Sequence, residues 1–593
     1  MPEKKTNIYT GIMKMTEKRK EQLFLLACLL VAIFRLVLAF MEPIWAITTG
    51  ESDDALMVRL GDSLSRLRWL GPYDHKTLVK GIAFPAVLML LRWTHIPLTF
   101  FFQLLWTMGS FLLTQALKPV LKNRLPRLVI FTLLALHPLL SNEWTGIRVY
   151  RNGLTPGQVL LIMAGLFGLF LRFRARMRTL LSWGLLSSFS ILFFYYTRED
   201  RVWLYPFIVI VSLVVLVLML KGLFQVRSEE KLPGRWLIRP IFYRVVLLLL
   251  PVVFVTGAHA VFSVINDRLY GEPIVNEFEE GNFPRALQAL YIADTGDALP
   301  LRVSVTREKI EKLSPYSPAL QSIEEGLLDL MEQWGRLDQV PEDGEVEDGW
   351  FLWAFRDAVA NGRYHDTLSS SEAFYGQLAD ELEDAMARGE LQKKMRMPSA
   401  LMAQLHDGYL RMLPKKTLDA MAMMARMESA KLRFWESDIS KEELIGQFER
   451  VTNNRIYASE LRSAQEMAGF QRVYRILNLF SWLYLTPAVP FFFLALAAFL
   501  FYVFTVLFIR KYRTENHVFM FLILLSMLLS LLVFSVVIAY NDIASCPTIN
   551  IGYMVGGYGL MAAWEILTLV FSAQLAFQIW KMKISGKNRP EGV

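Results

Sequence analysis

The feature that most constrains this chain is the length of its apolar runs. Stretches of about 20 apolar residues recur along both ends of the sequence, and a helix of that length spans a hydrocarbon core of about 30 Å. Inside a bilayer every backbone polar group must be bonded within its own segment, so such runs predict membrane-crossing helices. Between residues 265 and 475 the runs stop and the pattern becomes that of a water-facing domain. The 593 residues are 54% hydrophobic, and this segregation, more than the total, sets the fold class.

Charge fixes the expected sidedness. The net charge of +8 is carried largely by short Lys and Arg clusters beside apolar runs, as in cytoplasmic loops, which argues against a nucleic-acid partner. Lys18, Arg19 and Lys20 precede a first run, 22–41, that is longer than a signal-peptide core and lacks a small-x-small cleavage site; it reads as an uncleaved span with a cytoplasmic N-terminus. The piece 82–93 is short. About 12 helical residues cover about 18 Å, too little to cross, so it reads as an interfacial helix with Trp93 at headgroup level. Further spans follow at 97–117, 128–141, 157–171, 179–196, 202–220, 242–264, 479–509 (interrupted by Pro487 and Pro490), 517–540 and 555–579. Lys118–Arg127, Arg172–Arg178, Arg510–Arg513 and Lys581–Lys587 then all fall on one side. The expected fold is an all-α polytopic membrane protein of about ten transmembrane helices. A mostly helical extracytoplasmic domain (265–475) is inserted between spans seven and eight, dividing a first module, 1–264, from the C-terminal helices, 476–593. Within the domain, 318–334, 371–388 and 417–434 have helical amphipathic periodicity. Two cysteines, Cys28 and Cys546, make a disulfide framework improbable on spacing alone.

Arg35 and Glu565 are the main charges inside spans; the other polar clusters gather in the outer loops. Gly50-Glu51-Ser52-Asp53-Asp54 reads either as a divalent-cation or general-base site or as a cap, by Ser52 or Asp53, of a helix over 55–67. Tyr73–Gly81 carries His75, Lys76 and Lys80; the lysines suit a lipid phosphate or simple interfacial snorkelling. Arg148 and Arg151, three apart, are expected on one helical face, able to fork onto a phosphate or to pair with Glu143. Thr197-Arg198-Glu199-Asp200-Arg201 reads as a self-paired turn or as cations converging on the same pocket. His137 reads as a satisfied interfacial side chain. In Trp350, Phe351, Trp353 and Phe355, core packing competes with sugar stacking. Walker A, Rossmann glycine, zinc-spacing and HExxH motifs do not occur.

Carboxylates just after span one, an interfacial helix before span two, cations in later outer loops and an outer domain late in the chain together resemble the GT-C class of integral membrane glycosyltransferases. Glu51-Ser52-Asp53-Asp54 is similar to the acidic motif of that class. Thr77–Gly81, Tyr150–Leu154, Thr197–Asp200 and, in the domain, Trp350–Tyr364 look like stretches of its uncharacterised bacterial members. The membrane likeness covers about residues 20–265. It implies a multi-pass protein of the bacterial cytoplasmic membrane that moves a sugar from a polyprenyl-phosphate carrier to an extracytoplasmic glycan, lipid or protein. Asp53 or Asp54 would serve as base, with Lys80, Arg148, Arg151, Arg198 and Arg201 on the donor phosphate and Glu51, Glu199 and His75 in support. Asp53 and Asp54 are adjacent where better-known members space the pair, which leaves a Mg or Mn ion at these aspartates an open question. The competing expectations are a transporter or flippase of lipid-linked glycans, and a metal-free polysaccharide ligase or polymerase using arginines with His75 or His137.

Overall fold

The computed structural model describes residues 3–585 apart from 298, 338–344, 396, 398, 400, 401, 403–407 and 434. The first module runs α1 (Glu3–Met41), α2 (Asp54–Ser65), α3 (Ala83–Thr94), α4 (Leu98–Ala116), α5 (Arg124–Ala135), α6 (Thr155–Phe170), α7 (Met177–Tyr195), α8 (Tyr205–Glu229) and α9 (Ile238–Tyr270). The inserted domain contains α10 (Asn282–Ile292), α11 (Arg307–Leu313), α12 (Pro318–Gln321), α13 (Glu324–Leu337), α14 (Asp348–Asn361), α15 (Leu368–Ala387), α16 (Tyr409–Ala425) and α17 (Glu442–Thr452). The chain closes with α18 (Ala464–Leu485), α19 (Ala488–Phe508), α20 (Glu515–Ala544) and α21 (Val555–Ser585). Among the described residues the sole ladder is a two-stranded antiparallel pair, Ala293–Asp294 with Gln392–Lys393.

Among the described residues nine helical segments are long and apolar enough to cross a membrane, and α3 with α4 form a tenth only if taken together. They do not run together. α3 turns away from α4 by 112°, and the expected span 97–117 is long and apolar enough to cross only when joined to the short helix over 82–93. Pro97 starts α4 in extended conformation, and His95 ends α3 in the left-handed region, so the chain reverses within three residues. α6 is buried along its whole length and packs on α4, α7 and α21. Small residues make that centre possible: a Cβ on Gly165 would come within 2.7–2.8 Å of Ser187 on α7. α8 and α9 face outward with valines such as Val209, Val217, Val252 and Val261 exposed, as lipid-facing helices do.

Several boundaries move. α9 continues to Tyr270, past the expected end of span seven at 264. The expected span 479–509 is two helices, α18 and α19, separated at Thr486-Pro487, so the boundary at 475 falls inside α18. Pro487 cannot donate to a helical ladder, which is why the helix stops there. In the stretch 417–434 the α-helix ends at Ala425 and a 3₁₀ turn follows at Glu428–Ala430, with 434 outside the described residues, and 318–334 is divided at Ser322-Ile323. Arg148 is not helical: it sits in a bridge beside Trp45, and Arg151 opens a short 3₁₀ turn, so the two do not share a helical face.

The two ends of the bundle differ. One end holds Glu17, Glu21, Lys118 and Arg124 in mutual ion pairs and Arg174 beside Glu515. The other holds the loops after α1, α5 and α7 together with the inserted domain. There residues 44–48 form a seam: Ile44 N donates to Arg455 O (2.9 Å), Trp45 N to Ile147 O (2.8 Å), and Asp438 N to Ala46 O (3.0 Å). The domain docks further through Arg356, wholly buried, which donates to His75 O (2.9 Å from Nε) and Glu277 Oε2 (3.0 Å).

Gly81 joins α3 to this end. Its amide donates to Glu199 Oε1 (3.1 Å), and a Cβ there would lie 2.0 Å from Tyr196 O. Gly81→Ala must therefore push the Lys80 loop off the α7 end. The expected cost is about 1–3 kcal/mol, read as a lower thermal unfolding midpoint in detergent; an unchanged midpoint would refute the close approach.

Candidate functional site

A cavity of about 730 Å³ lies between the membrane bundle and the inserted domain. That is within the span of about 300–1,000 Å³ usual for ligand pockets. Its bundle side is lined by Ser52, Asp53, Lys80, Arg148, Tyr150, Arg151, Asn152 and Arg198. Its domain side carries Trp334, Trp350 and Trp353, and the loop before α21 adds Cys546, Asn550 and Tyr553.

The cations are positioned by local chain geometry. Arg148 is held by the seam at Trp45; Arg151 and Asn152 sit in the 3₁₀ turn that starts the central helix α6; Arg198 sits in the short turn between α7 and α8. Tyr150 is their hub. The Lys80 ammonium lies 5.2 Å from its ring centroid, and the Arg148 and Arg151 guanidiniums lie 5.0 and 5.4 Å away. The Tyr150 hydroxyl accepts from Lys80 Nζ (3.0 Å). Asn152 knits the loops together: its amide donates to Trp144 O (3.1 Å) and Gly552 O (3.0 Å) and its carbonyl accepts from Arg198 (2.8 Å).

Each cation has a carboxylate. Arg148 donates from Nε to Asp54 Oδ1 (2.8 Å) and lies 3.5 Å from Asp53 Oδ2. Lys80 pairs with Asp53. Arg151 pairs with Glu199 (2.6 Å), and Arg198 pairs with Asp200 through Nε (2.8 Å) and Nη2 (2.6 Å). Desolvation would raise the Asp53 carboxyl, but Lys80 and then Arg148 beside it hold it well below the ordinary carboxylate range. Desolvation would likewise raise Glu199, yet Arg151 brings it down to about 2. Burial would lower the Lys80 ammonium; Asp53 raises it instead.

The two adjacent aspartates are not equivalent. The Asp53 side chain is 39% exposed and reaches the cavity. Asp54 is wholly buried behind it, with Oδ1 on Arg148 and Oδ2 accepting from the Ile47 amide (3.3 Å). Helix α2 starts at Asp54, and Asp53, at its N-cap position, makes no side-chain capping bond, so the expected cap does not form. Arg201 points elsewhere: it pairs with Glu279 (2.6 and 2.9 Å) and lines a separate crevice of about 30 Å³ with Tyr195 and Phe262. Lys80 lines both the crevice and the cavity, while Glu199 lines the crevice and pairs with Arg151 of the cavity wall. His75 pairs with Asp357 (2.9 Å), and the exposed Glu51 with Lys441 of the domain; neither lines the cavity. Glu143 makes no pair with Arg148 or Arg151, whose partners are Asp54, Asp53 and Glu199. His137 is buried, its Nδ1 accepting from Leu139 N (3.1 Å).

The aromatic stretch on α14 divides. Phe351 and Phe355 are wholly buried in the domain core, while Trp350 and Trp353 line the cavity. Their spacing of three puts both indoles on one face of α14, a signal that was present in the sequence. Trp144, Trp334, Asn550 and Tyr553 carry no motif that would have found them.

No family model, no curated protein and no solved structure matches this chain.

The geometry shows what a single charge change does. Glu199→Gln leaves the buried Arg151 without its counter-charge and should destabilise the protein by about 3–5 kcal/mol at neutral pH. Because the folded Glu199 lies near 2, below its ordinary 4.5, the pair's stabilisation is present above about 4.5 and is lost as pH falls toward 2. The gap between wild type and Glu199→Gln in thermal unfolding should therefore close over that window; a constant gap would show that the pair is not ionic.

Proposed function

We propose that this chain is a GT-C-like glycosyltransferase that takes a sugar from a polyprenyl-phosphate carrier and passes it to an extracytoplasmic acceptor. The observation that supports this best is the cavity itself: one part-exposed carboxylate, Asp53, ringed by Lys80, Arg148, Arg151 and Arg198 at the junction of apolar helices and a water-facing domain. In this reading the termini are cytoplasmic, the domain faces outward from a bacterial cytoplasmic membrane, and the carrier's tail stays among the lipid-facing helices.

The chemistry follows from charge. A polyprenyl-phosphate sugar is a phosphodiester with one negative charge. When the acceptor oxygen forms its bond to the anomeric carbon, the bond from that carbon to the phosphate oxygen breaks. The leaving phosphate monoester carries one more negative charge, which the four fixed cations stabilise. The acceptor's proton goes to Asp53. At rest Asp53 is a weak base because Lys80 and Arg148 hold it. As the donor phosphate draws those cations toward itself, the carboxylate gains basicity at the moment it is required. Direct displacement inverts the anomeric centre. Asp54, out of the cavity, positions Arg148.

A resident divalent cation does not fit this donor set. Both Asp54 oxygens are engaged, Asp53 is shared between two cations, and among the described residues no group of three or more His, Cys, Asp or Glu side chains is arranged to hold a metal. We therefore assign the leaving-group role to Lys80 and the arginines.

The transport reading has one observation in its favour. Glu565, within α21, is wholly buried with neither carboxylate oxygen hydrogen-bonded, and unpaired intramembrane carboxyls mark ion and proton paths. The two readings separate cleanly in proteoliposomes given a panel of labelled polyprenyl-phosphate sugars. The transferase reading expects Asp53→Asn to lower release of polyprenyl phosphate by about 10²–10⁴-fold and Arg151→Gln to weaken binding of polyprenyl phosphate itself. It expects Glu565→Gln to leave release intact. Full activity in Asp53→Asn, Asp54→Asn and the double variant would sink it, and loss of lipid movement in Glu565→Gln alone would favour transport.

A further inference from the structure

We infer that the acceptor is a glycan and that the tryptophans of the inserted domain form its binding platform. The inference rests on the transferase reading above and adds to it the acceptor's chemical class and the residues that choose it.

The two walls of the cavity differ in kind. The bundle wall carries four cations, each paired with a carboxylate, that an arriving phosphate could draw to itself. The domain wall is aromatic: Trp353 faces Lys80, with its ring centroid 5.6 Å from Nζ, and Trp350 lies nearly parallel to Trp334 at 5.9 Å and 23°. Trp334 and Trp350 are thus stacked on each other, and both line the cavity. Trp350 and Trp353 are half-buried: each packs on the domain core, Trp353 edge-on to Phe278 (5.3 Å), and each also lines the cavity.

Pyranose rings match these facts. Their C–H faces lie flat on indoles, and their hydroxyls both accept and donate hydrogen bonds. The hydroxyl to be activated must also reach Asp53, and Trp353 flanks Lys80, the partner of Asp53. A lipid acceptor would be presented from the bundle side, where the cations stand. A protein acceptor read through its backbone requires an exposed strand edge, and among the described residues the domain's one ladder is a two-residue pair outside the cavity lining.

The test uses the full chain in lipid nanodiscs and saturation-transfer NMR with a panel of linear glucan, mannan and chitin tetrasaccharides. At least one member should bind wild type. Trp350→Ala and Trp353→Ala should each weaken that binding about tenfold, which is about 1.4 kcal/mol. Trp350→Phe and Trp353→Phe should keep most of it. Thermal unfolding of the same samples identifies variants that fail to fold. The inference is overturned if no saccharide in the panel binds wild type, if the alanine variants bind as wild type does, or if folded phenylalanine variants lose binding as completely as alanine. Failure of the transferase reading looks different: polyprenyl phosphate binding would then be indifferent to Arg151→Gln while saccharides still bound the tryptophans.

Discussion

The structure depends on neutralising positive charge at the edge of an apolar bundle. Lys80, Arg148, Arg151, Arg198 and Arg201 are all nearly buried, and ions in that setting are tolerated only when paired. The pairs decide where the chain goes. Asp53 and Asp54 bring the loop after α1 to Lys80 and Arg148; Glu199 brings the α7–α8 turn to Arg151; Glu279 brings the start of the inserted domain to Arg201. The loops between the spans are thus held by one another, with Tyr150 and Asn152 filling the space between the cations. The same balance leaves little net charge at the cavity wall, so an arriving anion must exchange partners with the carboxylates instead of meeting bare cations.

Much of the membrane architecture was legible in the sequence because the bilayer imposes a length that an apolar run either meets or fails. The run 82–93 failed it, but the helix over the expected span 97–117 also counts as a crossing only when joined to α3 across the 112° turn. Boundaries were less legible for the same reason. α9 and α18 extend beyond the apolar part of their helices, and hydropathy carries no signal where a helix leaves lipid but continues. Pro487 was visible, yet whether a proline kinks or ends a helix depends on what packs against it.

The candidate site was legible as residue types and illegible as pairs. Asp53, Lys80, Arg148, Arg151 and Arg198 stand out as outer-loop charges, and they converge. Arg198 pairs within its own turn, with Asp200, but the partners of the others do not follow from spacing, because those bonds join loops from 27 to 95 residues apart. Local rules gave the wrong geometry twice. Arg148 and Arg151 have helical spacing but lie before a helix, in extended and 3₁₀ backbone. Asp53 sits at a capping position but turns to Lys80, since an ammonium binds a carboxylate more strongly than a backbone amide does. On α14 the period alone does not say which of two aromatic pairs meets the core, because both rows are apolar.

The seam at residues 44–48 carries a consequence for how the protein comes into being. Its backbone partners include Asp438, Arg455 and Tyr457, some 390–413 residues downstream. During synthesis the loop that bears Asp53 and Asp54 emerges early, with its backbone groups unmatched, and waits until the whole domain has emerged. The pocket is thus among the last parts of the molecule to exist, and a ribosome that stalls anywhere before α18 leaves an anchored chain with its charges exposed and no site.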